Sequence, residues 1–489
     1  MPQDDVVYAG YPSTVVFDAP KPQGGKPVQH CLWGDWMRRK AGRRDGWVEV
    51  RARGCDGWVP EDGIQEERLL EVVFVDIGQG DGALVVTPDD RCLLIDAGEG
   101  DNMFRFLRWR FGRFEKPFRF HAAVISHPDK DHYNGFAPLF AEPNARFGTV
   151  YHNGIMEQAG SGGLGPTARR GRRSYLTGLV RDRAELEAFF ADADRWRGKL
   201  YPTMLQRALA GGRVEDFRML GHSDGRLPGF DGELRFEVLG PVSEAGDDGR
   251  PWLRKLGSKG ETKNGHSVVL KAVYRDVSIL LGGDLNIPAE NHLLAHHTRL
   301  PSPPRTLDER EALIAAARRV FAVDVAKVCH HGSADFSSEW LDALDPLASV
   351  ISSGDDEPHA HPRADTLGTL GRHSRGPRPL IFSTELARSA KETIKRPEAL
   401  RQRHRDLLRK LREATTDAER DRIEAAHEKV LQEIERSIAV YGAINLRTDG
   451  RKVVIAQKIE RARGKDKKWD IYRLERQGNG PLAYVSQHH

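Results

Sequence analysis

Residues 126–135 read SHPDKDHYNG, a loop that brings His127, Asp129, Asp131 and His132 within one short span. They follow FRFHAAVIS, whose apolar, β-branched end predicts a strand running straight into the polar loop. Charged side chains at the buried end of a strand need a compensating cation or a dense hydrogen-bond network. Neutral imidazole and carboxylate are ligand types of zinc, manganese and iron, so the spacing points to a metal loop. An exposed loop rich in Asp and His is the competing account.

The chain has 489 residues, more than one ordinary core needs, which predicts a large domain with additions or two to three domains. Lys and Arg total 75 against 71 Asp and Glu, and the net charge of +4 is too small to argue for nucleic acid by itself. Cys31, Cys55, Cys92 and Cys329 are scattered without CxxC pairing, which speaks against a disulfide framework or zinc ribbon and fits a reducing compartment. MPQDDVVYAG has no basic segment leading into an apolar run, and no apolar run reaches the roughly 18 residues of a membrane span. The expectation is a soluble, cytoplasmic protein without a membrane partner. His488 and His489 are left out of the metal argument.

Residues 1–68 hold short β-like runs, CLWGDWMRRKAG, GWVEVRAR and GCDGWVPEDGI, separated by Gly and Asp turn signals. This spacing predicts a small antiparallel barrel, and the repeated GW resembles a bacterial SH3-like domain. Its two readings are a docking module for a protein partner and a packing appendage. From 69 to 387 the texture becomes EVVFVDIG, GALVVT, RCLLIDAG, HAAVIS, LRFEVLGP, HSVVLKAVY, VSILLGGD, AKVCHHGS and ASVISSG, with helical patterns between. That order predicts a layered α/β domain whose strand ends carry reactive groups.

Two interruptions stand out. Residues 157–230 include ARRGRRS, so Arg169, Arg170, Arg172 and Arg173 are candidates for a lid or platform that meets phosphates, with a solvated basic loop as the alternative. Residues 388–438 predict a helical hairpin with stripes at Leu407, Leu408, Leu411 and at Ile423, Ala426, Val430, Ile434, and with Thr416 and Glu419 as a capping box. Its charged face is a solvated surface or a protein-binding one. Strand-like IFST before it and YGAINLRTDGRKVVIAQ after it place the hairpin as an insertion into a sheet, which residues 439–489 would close.

The metal loop has companions: LLIDAG supplies Asp96, NGHSVVL His266, LLGGDLN Asp284 and KVCHHGS His330 with His331. Each adjoins an apolar strand, so all can converge on one rim of a sheet. Together with VDIGQGDGALV at 75–85, LGP at 239–241, ISSG from 351 and the HPR that ends at 363, these motifs resemble a metallo-β-lactamase-fold hydrolase. The similarity is greatest to the soluble hydrolase domain of ComEC-type proteins, and it covers about 70–385 with a closing strand near 441–457.

The resemblance implies an αββα sandwich holding one or two divalent ions, Zn or Mn, with Mg or Fe also admitted. Carried over by position, His127, Asp129 and either His266 or His330 hold the first ion. Asp131, His132 and another later histidine hold the second, Asp284 bridges, and Asp96 supports a ligand or anchors its loop. The family pattern is HxHxDH, whereas this chain reads HPDKDH; Asp129 at a histidine position hardens that subsite toward manganese, magnesium or iron. On extended chain His330 and His331 point opposite ways, and spacing does not separate them; His330 is expected as the ligand, and His331 as its support or as a substrate-facing neighbour.

A divalent ion lowers the pKa of a bound water; Asp131 can orient or deprotonate that water, and His331 or His361 can assist the leaving group. The fold serves lactams, lactones, thioesters and phosphodiesters, so fold alone does not choose. The closer resemblance implies phosphodiester cleavage, of DNA or nucleotides. The chain lacks the transmembrane channel that accompanies this domain in ComEC, which suits an effector of a multiprotein system such as phage defence. Small ester, lactone or thioester hydrolysis is the alternative enzyme, and a metal-stabilised scaffold the alternative without catalysis.

Overall fold

The computed structural model describes residues 5–160, 163–354, 361–384, 397–414, 416–437, 442–459, 462–478 and 480–486. The apolar runs LEVVF, GALVV and CLLIDA form strands Leu70–Phe74, Gly82–Val86 and Cys92–Ala97, each buried along its whole length. Unbroken burial of this kind marks strands covered on both faces. They lie inside a ten-stranded sheet. Its order is Val214–Met219, Ala145–His152, Phe118–Ile125, Cys92–Ala97, Gly82–Val86, Leu70–Phe74, Ile444–Thr448, Val453–Lys458, Trp469–Arg476, Leu482–Val485. The first four strands run parallel to one another, and every later pair is antiparallel.

A seven-stranded sheet orders Arg226–Asp231, Leu234–Gly240, Val269–Tyr274, Val277–Leu281, Val325–Lys327, Ala348–Ile351 and Leu380–Ser383. Alternate side chains of a strand face opposite ways, so each sheet serves two cores. Val72, Phe74, Val85 and Leu93 share one with Phe236, Leu270, Ile279 and Val350 of the other sheet. Val73, Leu84 and Leu94 instead meet apolar residues of helices Asn102–Arg110, Phe136–Ala141 and Leu200–Ala210. Beyond the seven-stranded sheet, Val269, Leu280 and Ala326 meet Leu293, Phe321 and Trp340 of three further helices. The chain is therefore mixed α/β, with 13 α-helices among the described residues. None of the described helices is long and apolar enough to cross a membrane.

The N-terminal strands from Val6 to Gln65 make a separate, wholly antiparallel seven-stranded sheet around Val7, Val16, Cys31, Met37, Val50 and Val59. It does not hang free. Leu32, Trp33 and Leu69 pack on Val454 and Ala456 of the ten-stranded sheet. Beside them Arg447 donates to Glu71 at 2.6 Å, Arg110 donates to the same carboxylate at 2.9 Å, and Arg53 clasps Asp35 at 2.7 and 2.8 Å.

The structure differs from the sequence expectation in two places. Residues 157–230, expected as an interruption that carries a lid or platform, are also built into the layers. Val214–Met219 pairs in parallel with Ala145–His152, and Leu186, Phe189, Tyr201 and Leu205 complete a core beneath the sheet. Their hydrophobic side chains are spent inside the layers, so what projects is the hairpin Thr167–Arg170 and Arg173–Leu176 in a small four-stranded sheet. The predicted helical hairpin is present as Pro397–Glu413 and Asp417–Ser437, with Thr416 Oγ1 accepting from Glu419 N at 3.3 Å; its predicted start, 388–396, and residue 438 lie outside the described residues. It joins two sheets rather than interrupting one: Leu380–Ser383 edges the seven-stranded sheet, while Ile444–Thr448 lies beside Leu70–Phe74 in the ten-stranded one.

Candidate metal centre

The candidate residues sit on loops that leave the strands of both large sheets, where tight backbone turns let them approach. Asp96, near the end of Cys92–Ala97, takes a positive φ of 55° at a break in the pairing register. Its carboxylate accepts from Ser126 N and Ser126 Oγ, both at 2.7 Å, and lies 2.9 Å from His132 Nδ1. With that nitrogen occupied, Nε2 is the one His132 can offer elsewhere. Gly80 has φ +99°, and a Cβ there would fall 1.7 Å from Asp131 O, so a side chain at 80 would hold the Asp81 loop away from the metal loop.

Asp131, His132, Asp284 and His331 each offer a ligand atom within 4.8 Å of the others. His132 Nε2 lies 3.2 Å from Asp284 Oδ2, His331 Nε2 lies 3.1 Å from the same oxygen, and His331 Nε2 lies 3.5 Å from Asp131 Oδ2. His331 Nδ1 is tied behind by Ser352 O at 3.1 Å and Asp81 Oδ1 at 3.2 Å. Asp81 itself takes the buried Lys327 ammonium, which also donates to Gly283 O at 3.1 Å. Burial works against charge on both imidazoles and is the largest single influence, yet the surrounding carboxylates together outweigh it, Asp284 with Asp96 and Asp131 at His132 and Asp284 with Asp81 and Asp131 at His331, and raise each well above the usual range. Those protons are what a bound cation displaces.

The remaining candidates go elsewhere. His127 is fully buried beside His132, rings 4.1 Å apart, with Nε2 3.6 Å from Asp129 Oδ2. Asp129 is claimed by Lys263, whose ammonium bonds its carboxylate; burial opposes the charge, but His127 and Lys263 prevail and hold Asp129 down at about 2. His266 caps helix Lys259–Gly265 and turns Nε2 to Arg254 O at 2.6 Å, away from the centre; burial pushes it down to about 4. His330 does not join the group, and His331 does. The chain here is not extended: both residues have left-handed φ, 50° and 54°, in the turn Cys329–Gly332, so the alternation expected of a strand does not apply.

His361 stands at the rim, its ring 5.9 Å from that of His330 and 6.5 Å from that of His331. Arg169, Arg170, Arg172 and Arg173 lie on the projecting hairpin, where Arg170 bonds Asp247 at 2.6 Å and stacks over Trp252 at 4.9 Å. Sequence reasoning missed Asp81, Lys327, Lys263 and the Ser126 and Ser352 contacts. The first two lie inside motifs quoted for the resemblance; Lys263 gives no sequence signal, because it meets Asp129 across 134 positions.

The donor set fits a divalent ion. His127 Nε2, His132 Nε2, His331 Nε2 and Asp284 Oδ1 are buried without forming a hydrogen bond, whereas the three histidines are anchored from behind, His127 by Ser126 Oγ at 3.0 Å. Two imidazoles with two carboxylates suit Zn, Mn or Fe. No protein-family model matches the chain, and no curated protein matches it.

Proposed function

We propose that this protein is a metal-dependent hydrolase on an αββα metallo-β-lactamase layering, with an SH3-like N-terminal unit, and that it cleaves phosphodiesters in DNA or nucleotides. The observation that carries the reading is the convergence of Asp131, His132, Asp284 and His331, with the unbonded Nε2 atoms of both histidines facing Asp284 Oδ2. The layering rests on two sheets that share a core and carry helices on their outer faces. The phosphodiester rests on the motif resemblance to ComEC-type hydrolase domains, and esters, lactones or thioesters are what the substrate panel below would reveal instead.

A divalent ion held by these four residues supplies Lewis acidity and charge neutralisation when bound. Asp131, with 21 % of its side chain exposed, is the member open to solvent and takes a proton from the attacking water. His330 and His361 stand at the mouth, in position to protonate a departing oxygen. Asp96, Asp81 and Ser352 O keep the two imidazoles aimed and in the correct tautomer. Lys263 supplies positive charge at Asp129, so a single principal ion is the arrangement these contacts favour.

The test is elemental analysis of purified protein joined to a panel of single-stranded DNA, bis-p-nitrophenyl phosphate, lactones and thioesters with Zn and Mn. Asp284→Asn should lose both the metal and the phosphodiester cleavage while its circular dichroism stays that of the parent. Undiminished cleavage by the variant sinks the site; turnover confined to lactones or thioesters sinks the substrate.

A further inference from the structure

The hairpin Thr167–Arg170 and Arg173–Leu176 belongs to a small antiparallel sheet that Pro251–Arg254 and Glu244–Ala245 complete. Its base is firmly held. Leu176 and Leu253 share a core with Ile155, Leu164 and Leu179, while Tyr175 and Trp252, rings 5.9 Å apart, are buried. Its tip is bare: Arg169, Arg170, Gly171, Arg172 and Arg173 are exposed, and a Cβ on Gly171 would meet nothing within 4 Å. The ladder sets Arg170 directly opposite Arg173, and like charges so placed weaken a hairpin. A local rule broken at an exposed tip points to a role other than folding.

Residues 166–178 and 243–255, which build this sheet, hold six arginines and one lysine against one glutamate and two aspartates, a surplus of four. The net charge of the whole chain is +4, so the remainder of the molecule is balanced. The acids are engaged. Asp247 accepts from Arg170 at 2.6 Å, Glu244 takes Arg254 at 2.5 Å and the Tyr175 hydroxyl at 2.8 Å, and Asp248 accepts from Arg250 N at 3.0 Å. Arg173 lies in the field of Glu244, whereas Arg169, Arg172 and Lys255 enter no ion pair among the described residues. Lys255 is exposed beside the hairpin, its backbone N donating to Ser174 O at 2.8 Å.

We propose that this hairpin docks on duplex DNA, its arginines meeting the phosphates that wall the major groove. A two-stranded ribbon is an element that groove admits. A duplex is favoured over a single strand because the sheet's rings, Tyr175 and Trp252, are buried and offer unpaired bases no platform, while its free cations suit the dense phosphate charge of two strands. The sheet is also wired to the metal loop. Arg254 O, at the end of the bracing strand, lies 2.6 Å from His266 Nε2, and the helix Lys259–Gly265 between these residues carries Lys263, which bonds Asp129. The inference rests on the nucleic-acid reading of the metal centre for its class of ligand, but needs none of that centre's chemistry.

The experiment uses the full chain as purified, and reads over a salt series the anisotropy of a short fluorescein-labelled DNA duplex whose phosphorothioate linkages resist cleavage. The parent should bind the duplex more tightly than either separated strand. Arg172→Gln should flatten the dependence of log affinity on log salt by about 0.9, and the triple variant Arg169→Gln, Arg172→Gln, Arg173→Gln by about 2.7, one phosphate contact apiece. Arg319→Gln, at an exposed arginine on another element, should keep the parent slope. The triple variant should melt no lower than the parent, because it relieves the like-charge pair. Arg172→Gln, in the turn and outside the ladder, decides should the triple variant fail to fold. The proposal is overturned if the duplex does not bind, if single strands bind as well, if Arg172→Gln keeps the parent slope, if Arg319→Gln flattens it equally, or if poly-glutamate displaces the probe as well as unlabelled duplex does. A parent that binds the duplex but hydrolyses no phosphodiester refutes the function and supports the hairpin; hydrolysis of bis-p-nitrophenyl phosphate without duplex binding does the reverse.

Discussion

Two regions of this molecule bury charge, and they do opposite things with it. At the junction of the N-terminal sheet, Arg447, Arg110 and Arg53 are matched to Glu71 and Asp35 by direct hydrogen bonds. At the candidate metal centre His132 and His331 are each bonded on one nitrogen and leave the other facing Asp284 without a hydrogen bond. Burial of charge alone is therefore no sign of a ligand. Arg447 Nε and Nη2 and Arg110 Nε are also left without a hydrogen bond, but they are donors; the informative atoms are ligand nitrogens and oxygens that their neighbours orient but do not satisfy.

The comparison can be broken most forcefully at the centre, where Asp284→Asn should take phosphodiester cleavage to background while the circular dichroism stays that of the parent. At the junction, Arg447→Met should cost about 3–5 kcal/mol, the usual penalty for stranding one member of a buried pair, and urea unfolding will read it. Cleavage itself should persist under native conditions. Asp96→Asn tests orientation rather than ligation: it keeps the fold but loosens His132, and metal titration should give affinity about 10–100-fold weaker. An unchanged affinity would mean that His132 needs no anchoring.

The smallest effect concerns a charge that neither region uses. Glu290 is buried and accepts from Ser337 N at 2.6 Å; burial pushes its carboxyl up to about 8. The folded protein therefore holds a proton that the unfolded chain has released above its ordinary value of 4.5, so stability falls as pH rises from 4.5 toward 8. Glu290→Gln removes that loss. It should raise stability at pH 8, with the gain shrinking toward pH 5. Thermal melts across that range check both sign and slope.

Much of the layered α/β character was legible in the sequence because its strands are unbroken apolar runs that stop at Asp, His, Gly or Ser. Asp131 and His132 stood out for the same reason, and the chain brings them to Asp284. The choice between His330 and His331 was not legible, since it turns on two left-handed residues that no composition announces. Lys263 escaped because its contact with Asp129 is long-range. The stretch 157–230 read as an interruption because of its glycines and arginines, while Leu186, Phe189 and Leu205, which tie it into the core, carry no mark of where they will pack.

The strand Ile444–Thr448 closes the ten-stranded sheet against Leu70–Phe74. On a ribosome adding about 5–20 residues per second, the earlier strand waits on the order of half a minute for its neighbour. Through that interval Leu70–Phe74 presents a bare apolar edge, the kind that recruits strands from other chains. Biosynthesis of this protein thus leans on whatever shields a nascent edge, and premature termination anywhere before the helical hairpin would release a product prone to aggregate.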